Sequence, residues 1–260
     1  MSTDLSETLL RTDRRYETRL YVDAPLFVGA DIYLMDETIH YLRNVLRKSV
    51  GDRVRLFNGR DGEWLAGIEG TNQKQFRLMC HEQTRIQVAT SQLSLFFGII
   101  KREHLDFLVQ KSCELGVSRL YPIITQRCNV RQLSLPRLQS IAREAAEQSE
   151  RLDTPEIFPA QPLENIIAKA TQQHTLYVCA EDGSGQPPHF AFREPSITKP
   201  SAILIGPEGG FAPDELQMIK NTQAVTLLNL GQRILRADTA ALAALSCWQA
   251  LRGDWARMTT

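Results

Sequence analysis

The apolar residues change their period once along the chain, near residue 90, and one layer of structure cannot accommodate both patterns. From Arg19 to Ala89 they fall in short strand-like runs: RLYV at 19–22, VRLF at 54–57 and EWLAGI at 63–68 around the turn-rich NGRDG, then KQFRLMC at 74–80 and RIQVA at 85–89. One helix interrupts them, where Ile39, Leu42, Val45 and Leu46 recur at helical spacing behind Asp36 as its N-cap. These features predict a small β-barrel domain over 14–89 with one helix on its rim. Residues 1–13 are mostly polar, without a sustained period, and read as a flexible extension.

Beyond residue 90, apolar strands alternate with longer helices. LSLFFGII leads to helix EHLDFLVQKSCEL, ended by Gly116, and RLYPII leads to helix PRLQSIAREAAEQSE. A Pro-punctuated loop, a short helix around 162–170, strands HTLYVCA and SAILI, helix PDELQMIK, strand AVTLLNL and a final helix from about Asp238 to Arg252 complete the chain. Such alternation predicts an α/β domain over 90–260, built on a largely parallel sheet covered by helices.

Composition narrows the function. The 260 residues balance 30 Lys+Arg against 30 Asp+Glu, and the apolar stretch Leu95–Ile100 is far short of a membrane span. The start of the chain, with Asp4 and Glu7, lacks the apolar core of a secretory signal, so a cytoplasmic location is expected. Five scattered cysteines show no C-x-x-C or zinc spacing, and neither disulfides nor a metal are expected. The zero net charge hides a local bias: Arg43, Arg47, Lys48, Arg53, Arg55 and Arg60 surround the single acid Asp52, and Arg outnumbers Lys 23 to 7. Arginine grips phosphate oxygens in pairs, although its abundance also tracks genome composition.

Two loops carry the sharpest signals. Ile205-Gly206-Pro207-Glu208-Gly209-Gly210-Phe211 leaves a buried-looking strand and enters a helix whose Pro213, Asp214 and Glu215 suit a first turn. Glycines at the end of a parallel strand let backbone approach a ligand. A phosphate fits poorly, because no P-loop or G-x-G-x-x-G pattern is present and Glu208 would repel it. A neutral or cationic ligand suits this loop better, and a tight turn without ligand is the alternative. The second loop, Leu230 to Thr239, holds Ile234-Leu235, which either borders a flat adenine-like ring or plugs the core. The alanine-rich helix after it suits close packing, within the chain or against another subunit. Glu144, Glu147, Gln148 and Arg151 share a face if their helix runs that far, as a site or as a solvated stripe. No triad elbow or H-x-x-x-H pattern is present.

Together these residues resemble the bacterial 16S ribosomal RNA uridine-N3 methyltransferases, members of the SPOUT class. The similarity runs from about Arg15 to the final helix. It is carried by Arg15-Tyr16, Tyr21-Val22, His40-Tyr41-Leu42-Arg43, Val45-Leu46-Arg47, Gly51-Asp52, Gln110-Lys111, Glu114 to Val117, Arg127-Cys128, Glu147-Gln148, Arg151, Pro155 and the two loops in order. The resemblance implies a PUA-like β-barrel that helps hold RNA, then a SPOUT α/β domain with a C-terminal trefoil knot. It implies S-adenosyl-L-methionine as methyl donor, bound through Gly206, Glu208, Gly209, Gly210, Leu230, Gly231, Ile234, Leu235 and Arg236. It further implies a homodimer acting on 16S rRNA, within the small ribosomal subunit.

On this reading Arg15, His40, Arg43, Arg47 and Arg127 contact RNA, and Arg236 and Arg151 are the catalytic candidates. Asp238 is a base or, the favoured alternative, a cap on the last helix. Two departures stand out: Ala237-Asp238 replaces the family's usual Thr-Glu, and Ile99 to His104 replaces a glycine- and lysine-rich motif, retaining only Lys101. Competing readings are a knotted methyltransferase acting on another base or a ribose 2′-hydroxyl, and a non-catalytic RNA-binding assembly factor. A nucleotide-dependent enzyme ranks last.

Overall fold

A computed structural model describes residues 18–70, 77–89, 91–128, 133–193 and 199–257. Its contacts divide the chain into two compact units, one reaching to Ala89 and including Ala146–Thr154, the other running Thr90–Ala145 and resuming at Pro155. Arg15 and residues 1–13 lie outside the described residues.

The first unit is a five-stranded sheet of β1 (Arg19–Tyr21), β2 (Asp31–Tyr33), β3 (Arg53–Phe57), β4 (Glu63–Glu69) and β5 (Arg77–Arg85), ordered β1-β3-β4-β5-β2. Strand β1 joins β3 in parallel and the other pairs are antiparallel. Leu20, Ile32, Leu42, Val54, Leu56, Ala66, Ile68 and Leu78 form its core. Where two final strands are expected, there is one: β5 follows β4 as far as Arg85, through two register shifts, and 86–89 form no strand. Pairing to the full length of β4 sets the limits of β5, overriding the local apolar pattern. Strand β2 is too short for its period to be seen in sequence. Helix α1 (Asp36–His40) passes into a π-helical turn, Tyr41–Val45. Its N-cap is Met35, so Asp36 is not the cap but lies in the first turn, where its charge still suits the helix dipole.

A buried ion cluster ties this unit together. Glu63, 1% exposed, receives Arg19 at 2.7 Å, Arg55 at 3.0 Å and the Thr84 hydroxyl at 2.8 Å. Burial alone would raise the Glu63 carboxyl, but its partners outweigh that and hold it below the usual range. Arg19 also donates to the carbonyls of Ala146 and Glu147 at 3.0 Å and of Arg151 at 2.6 Å. These oxygens belong to a helix end and the turn beyond it, where carbonyls lack helical partners. Glu147 in return accepts the Tyr21 N–H at 2.9 Å.

The second unit holds β6 (Leu93–Gly98), β7 (Arg119–Ile124), β8 (Glu156–Ile157), β9 (Gln161–Pro162), β10 (Thr175–Cys179), β11 (Ser201–Ile205) and β12 (Val225–Leu228). The order is β12-β10-β11-β6-β7-β8, with β9 also on β7, and every pair is parallel. Strands β6 and β11 are buried at every residue, as strands covered on both faces must be. The helices are α2 (Arg102–Glu114), α3 (Leu135–Gln148), α4 (Leu163–Gln173), α5 (Pro188–Ala191), α6 (Pro213–Asn221) and α7 (Ala237–Leu251).

Helix α2 buries Leu105, Leu108, Val109, Ser112 and Cys113, an i, i+3, i+4 stripe. It ends at Gly116, whose φ of 79° is left-handed, and Gln249 of α7 donates to the Leu115 carbonyl at 2.6 Å. From β6 the chain proceeds to β7 on one side, whereas β10, β11 and β12 occupy the other. The switch point therefore lies between β6 and β11, where open α/β sheets bind ligands beyond the strand ends.

Candidate active site

The first loop, Gly206 to Phe211, leaves β11 at this switch point and is fastened along its length. A Cβ on Gly98, the last residue of β6, would lie 2.5 Å from the Pro207 nitrogen, so only glycine allows this approach. A Cβ on Gly206 would lie 3.2 Å from the Phe211 ring, and one on Gly209 would lie 3.3 Å from Arg127 Cβ. Gly210 has a φ of 67°, and the Phe211 N–H beside it donates to Glu181 at 3.0 Å.

Glu208 is exposed, and its carboxylate accepts the Lys101 N–H at 2.9 Å, bridging this loop to the one after β6. Arg127 donates to the Gly209 carbonyl at 3.0 Å. Buried Glu215 accepts the Ala212 N–H and the Gln126 N–H, each at 2.8 Å, closing a capping-box bond and joining the loop after β7.

The second loop follows β12 and is open. Gly231 has a φ of 103°, a Cβ placed on it would meet nothing within 4 Å, and Asn229 accepts its N–H at 2.8 Å. Leu230 and Leu235 pack against the core, whereas Ile234 is 92% exposed. The Ile234-Leu235 pair is thus split: Leu235 plugs the core and Ile234 faces solvent.

Arg236 ends the loop with its side chain 65% exposed. It is the N-cap position of α7, so Asp238 is not the cap; it lies in the first turn and accepts the Thr239 N–H at 2.8 Å. Asp238 also meets Arg236 at 3.4 Å and His104 Nδ1 at 3.3 Å. Burial alone would raise its carboxyl, but the Thr239 N–H, Arg236 and His104 outweigh that and keep it below the usual range. The site therefore holds an ionised, acceptor-only carboxylate beside an exposed guanidinium.

The remaining candidates belong to the first unit. Arg151 belongs to the first unit, follows the end of α3 at Gln148, and meets Asp153 at 3.0 Å. The face expected to join Glu144, Glu147, Gln148 and Arg151 stops short because Glu150 adopts a φ of 59° and ends the helical path. His40 and Arg47 are exposed on the first unit and Arg43 is half-buried. The basic run is not uniform, since Arg55 turns inward to Glu63. Glu181, Gln126 and His104 are site residues that sequence reasoning passed over. Among the described residues, no group of His, Cys, Asp and Glu could hold a metal, and no helix is long and apolar enough to cross a membrane.

Known proteins agree with this geometry. A family described as the RNA methyltransferase domain matches residues 87–249, and one described as the RNA methyltransferase PUA domain matches 34–78. The chain is 34% identical to ribosomal RNA small subunit methyltransferase E of Rickettsia conorii, over 88% of this chain and 93% of that protein. The Bacillus subtilis protein of the same name is 29% identical over 84% and 91%. A Neisseria gonorrhoeae ribosomal RNA small subunit methyltransferase E, solved bound to S-adenosyl methionine, superposes with a TM-score of 0.80 at 30% identity, covering 91% of this chain and 98% of that one. A Legionella pneumophila methyltransferase in complex with the same cofactor gives 0.79 at 30%, covering 90% and 97%. With its parallel sheet, its fastened glycine loop at the switch point and its PUA-like first unit, this chain belongs to the RNA methyltransferase family.

Proposed function

We propose that this protein transfers a methyl group from S-adenosyl-L-methionine to N3 of a uridine in 16S rRNA of the small ribosomal subunit, acting as a cytoplasmic homodimer. The observation that carries this reading is the fastened glycine loop at the switch point, together with the second strand-end loop that ends in exposed Arg236. The names of the relatives and the cofactor in the two solved neighbours support it. The trefoil knot belongs to the same proposal, formed by the chain after β11.

The residues present fit the cofactor. The glycine loop excludes side chains where backbone must approach, and exposed Glu208 suits a cation. Gly206, Glu208, Gly209, Gly210, Leu230, Gly231, Ile234, Leu235 and Arg236 would hold it. When bound, S-adenosylmethionine supplies an electrophilic methyl group on a sulfonium.

The rest of the chemistry falls to the chain. Uracil N3 carries a proton and is a poor nucleophile until that proton leaves, so the site must favour the anion and keep N3 in line with the methyl group. Arg236 is the group to stabilise charge growing on the uracil oxygens, and ionised Asp238 is the nearby acceptor. Arg151 serves RNA positioning from the first unit, together with His40, Arg43 and Arg47, and with Arg15 outside the described residues. Arg127 contributes from the loop after β7, where it donates to the Gly209 carbonyl. N3 lies within a base pair in duplex RNA, so the target must be unpaired or splayed out. The half-exposed Leu242, Ala243 and Ser246 of α7 are the strip available to a second subunit.

The test is to incubate the protein with radiolabelled S-adenosylmethionine and small subunits lacking the modification, then digest the RNA. Label in 3-methyluridine is expected. Label in a 2′-O-methylated nucleoside or another base would replace this reading, and cofactor binding without label would favour an RNA-binding assembly factor.

A further inference from the structure

Helices α2 and α7 and the end of the second loop bring three polar side chains together. His104 is the third residue of α2, and Asp238 is the second residue of α7. One guanidinium nitrogen of Arg236, Nη2, lies 2.9 Å from His104 Nδ1 and 3.3 Å from its Nε2. Asp238 Oδ2 lies 3.3 Å from the same Nδ1, and a Glu103 carboxylate oxygen lies 3.5 Å from Nε2. The charged groups facing the ring are thus Glu103 from its own helix, Arg236 from the second loop and Asp238 from α7.

These partners make different demands. A guanidinium is always charged and only donates, whereas a carboxylate only accepts. An unprotonated imidazole offers Arg236 a lone pair and no charge. A protonated one carries N–H on both nitrogens, repels the guanidinium, and donates to Asp238 and Glu103 instead. A neutral ring, with one N–H and one lone pair, can serve Arg236 and one carboxylate together, and gaining a proton removes the lone pair that Arg236 uses.

We propose that His104 is a positioning residue for methyl transfer: its unprotonated ring holds the Arg236 guanidinium beside the second loop, and its protonated ring turns to Asp238 and releases Arg236. The inference rests on Arg236 acting on the RNA base, as read above. It requires nothing of which base atom is methylated.

The experiment compares the full-length wild-type protein with His104→Gln, which retains hydrogen-bonding groups but does not titrate. Initial rates of transfer from tritiated S-adenosylmethionine to undermethylated small subunits are measured from about pH 5.5 to about pH 8.5. The wild type is expected to lose rate towards acid. H104Q is expected to run on the order of tenfold slower at the alkaline end, with a shallower loss towards acid than the wild type and with cofactor affinity within about twofold of it. An H104Q profile that falls with acid like the wild type, or a wild-type rate throughout, would overturn the proposal.

If the label appears in a nucleoside other than 3-methyluridine, the uridine-N3 reading fails, while the pH comparison on that nucleoside still decides the role of His104. A second readout is independent of turnover. In ¹⁵N-labelled protein the Arg236 Nε–H is expected to be better protected from solvent exchange in the wild type than in H104Q at alkaline pH, with the difference between the two proteins vanishing towards acid. Identical protection in both proteins would refute the hold, whatever the substrate.

Discussion

The two strand-end loops both carry glycine and both lead into helices, yet they are built on opposite principles. The first is held by Gly98, Gln126, Arg127, Glu181 and Glu215, drawn from the ends of β6, β7 and β10 and from its own helix. The second runs exposed from Gly231 to Ile234 and is tied at its two ends, by Asn229 and by the Arg236–His104–Asp238 contacts. The difference teaches that glycine serves two purposes in one site. In the first loop it makes room for neighbouring backbone and side chains; in the second it supplies a backbone angle that other residues resist.

The contrast is broken most severely at Gly98. Gly98→Ala sets a methyl against the Pro207 backbone and should destabilise the second unit by about 1–3 kcal/mol, with cofactor affinity falling on the order of a hundredfold as the loop is pushed aside. Thermal unfolding and calorimetric titration check both. Glu215→Ala leaves the Ala212 and Gln126 N–H groups without their acceptor, an expected loss of about 1–3 kcal/mol, and Glu215→Gln should recover part of it. In the second loop, Gly231→Ala meets no neighbour and should cost only backbone strain, about 1 kcal/mol. Ile234→Ser should leave unfolding within about 0.5 kcal/mol of wild type. Equal losses from Ile234→Ser and Gly98→Ala would erase the distinction between the loops.

A pH measurement sharpens it by locating acid sensitivity at the other end of the sheet. His174, just before β10, is buried against Phe96 and Tyr121, and its Nε2 meets the Ser94 hydroxyl at 3.2 Å. Burial lowers its pKa, so the unfolded chain takes up a proton first. Stability is therefore full above the unfolded value near 6.5 and declines as pH falls through it towards the lower folded value. His174→Gln should flatten that decline in denaturant titrations from about pH 7.5 to about pH 5 without altering either loop.

The sequence made the α/β alternation legible because strands buried on both faces, such as SAILI, read as unbroken apolar runs, and amphipathic helices such as α2 repeat their pattern over several turns. Strand β2 was hidden because three residues hold too little period, and the end of β5 was misplaced because its partner sets it. The glycine loop and Arg236 were visible as local motifs. His104 was not, since a histidine at a helix start has no meaning until α7 brings Asp238 and Arg236 to it. Ile234-Leu235 looked like one apolar unit, and only tertiary packing divides it. Arg19 gave no sign of its carbonyl partners, which lie more than a hundred positions away.

Those partners bear on how the protein is made. Arg19 and Glu63 belong to the earliest part of the chain to be synthesised, but the carbonyls that Arg19 caps are supplied by residues 146 to 151. A nascent chain ending at residue 89 has the five strands and the buried carboxylate but lacks the helix end that the guanidinium serves. Domains generally fold in the order of their synthesis. Here the first unit must wait through much of the second before its last contacts exist, and neither can be excised by a single cut.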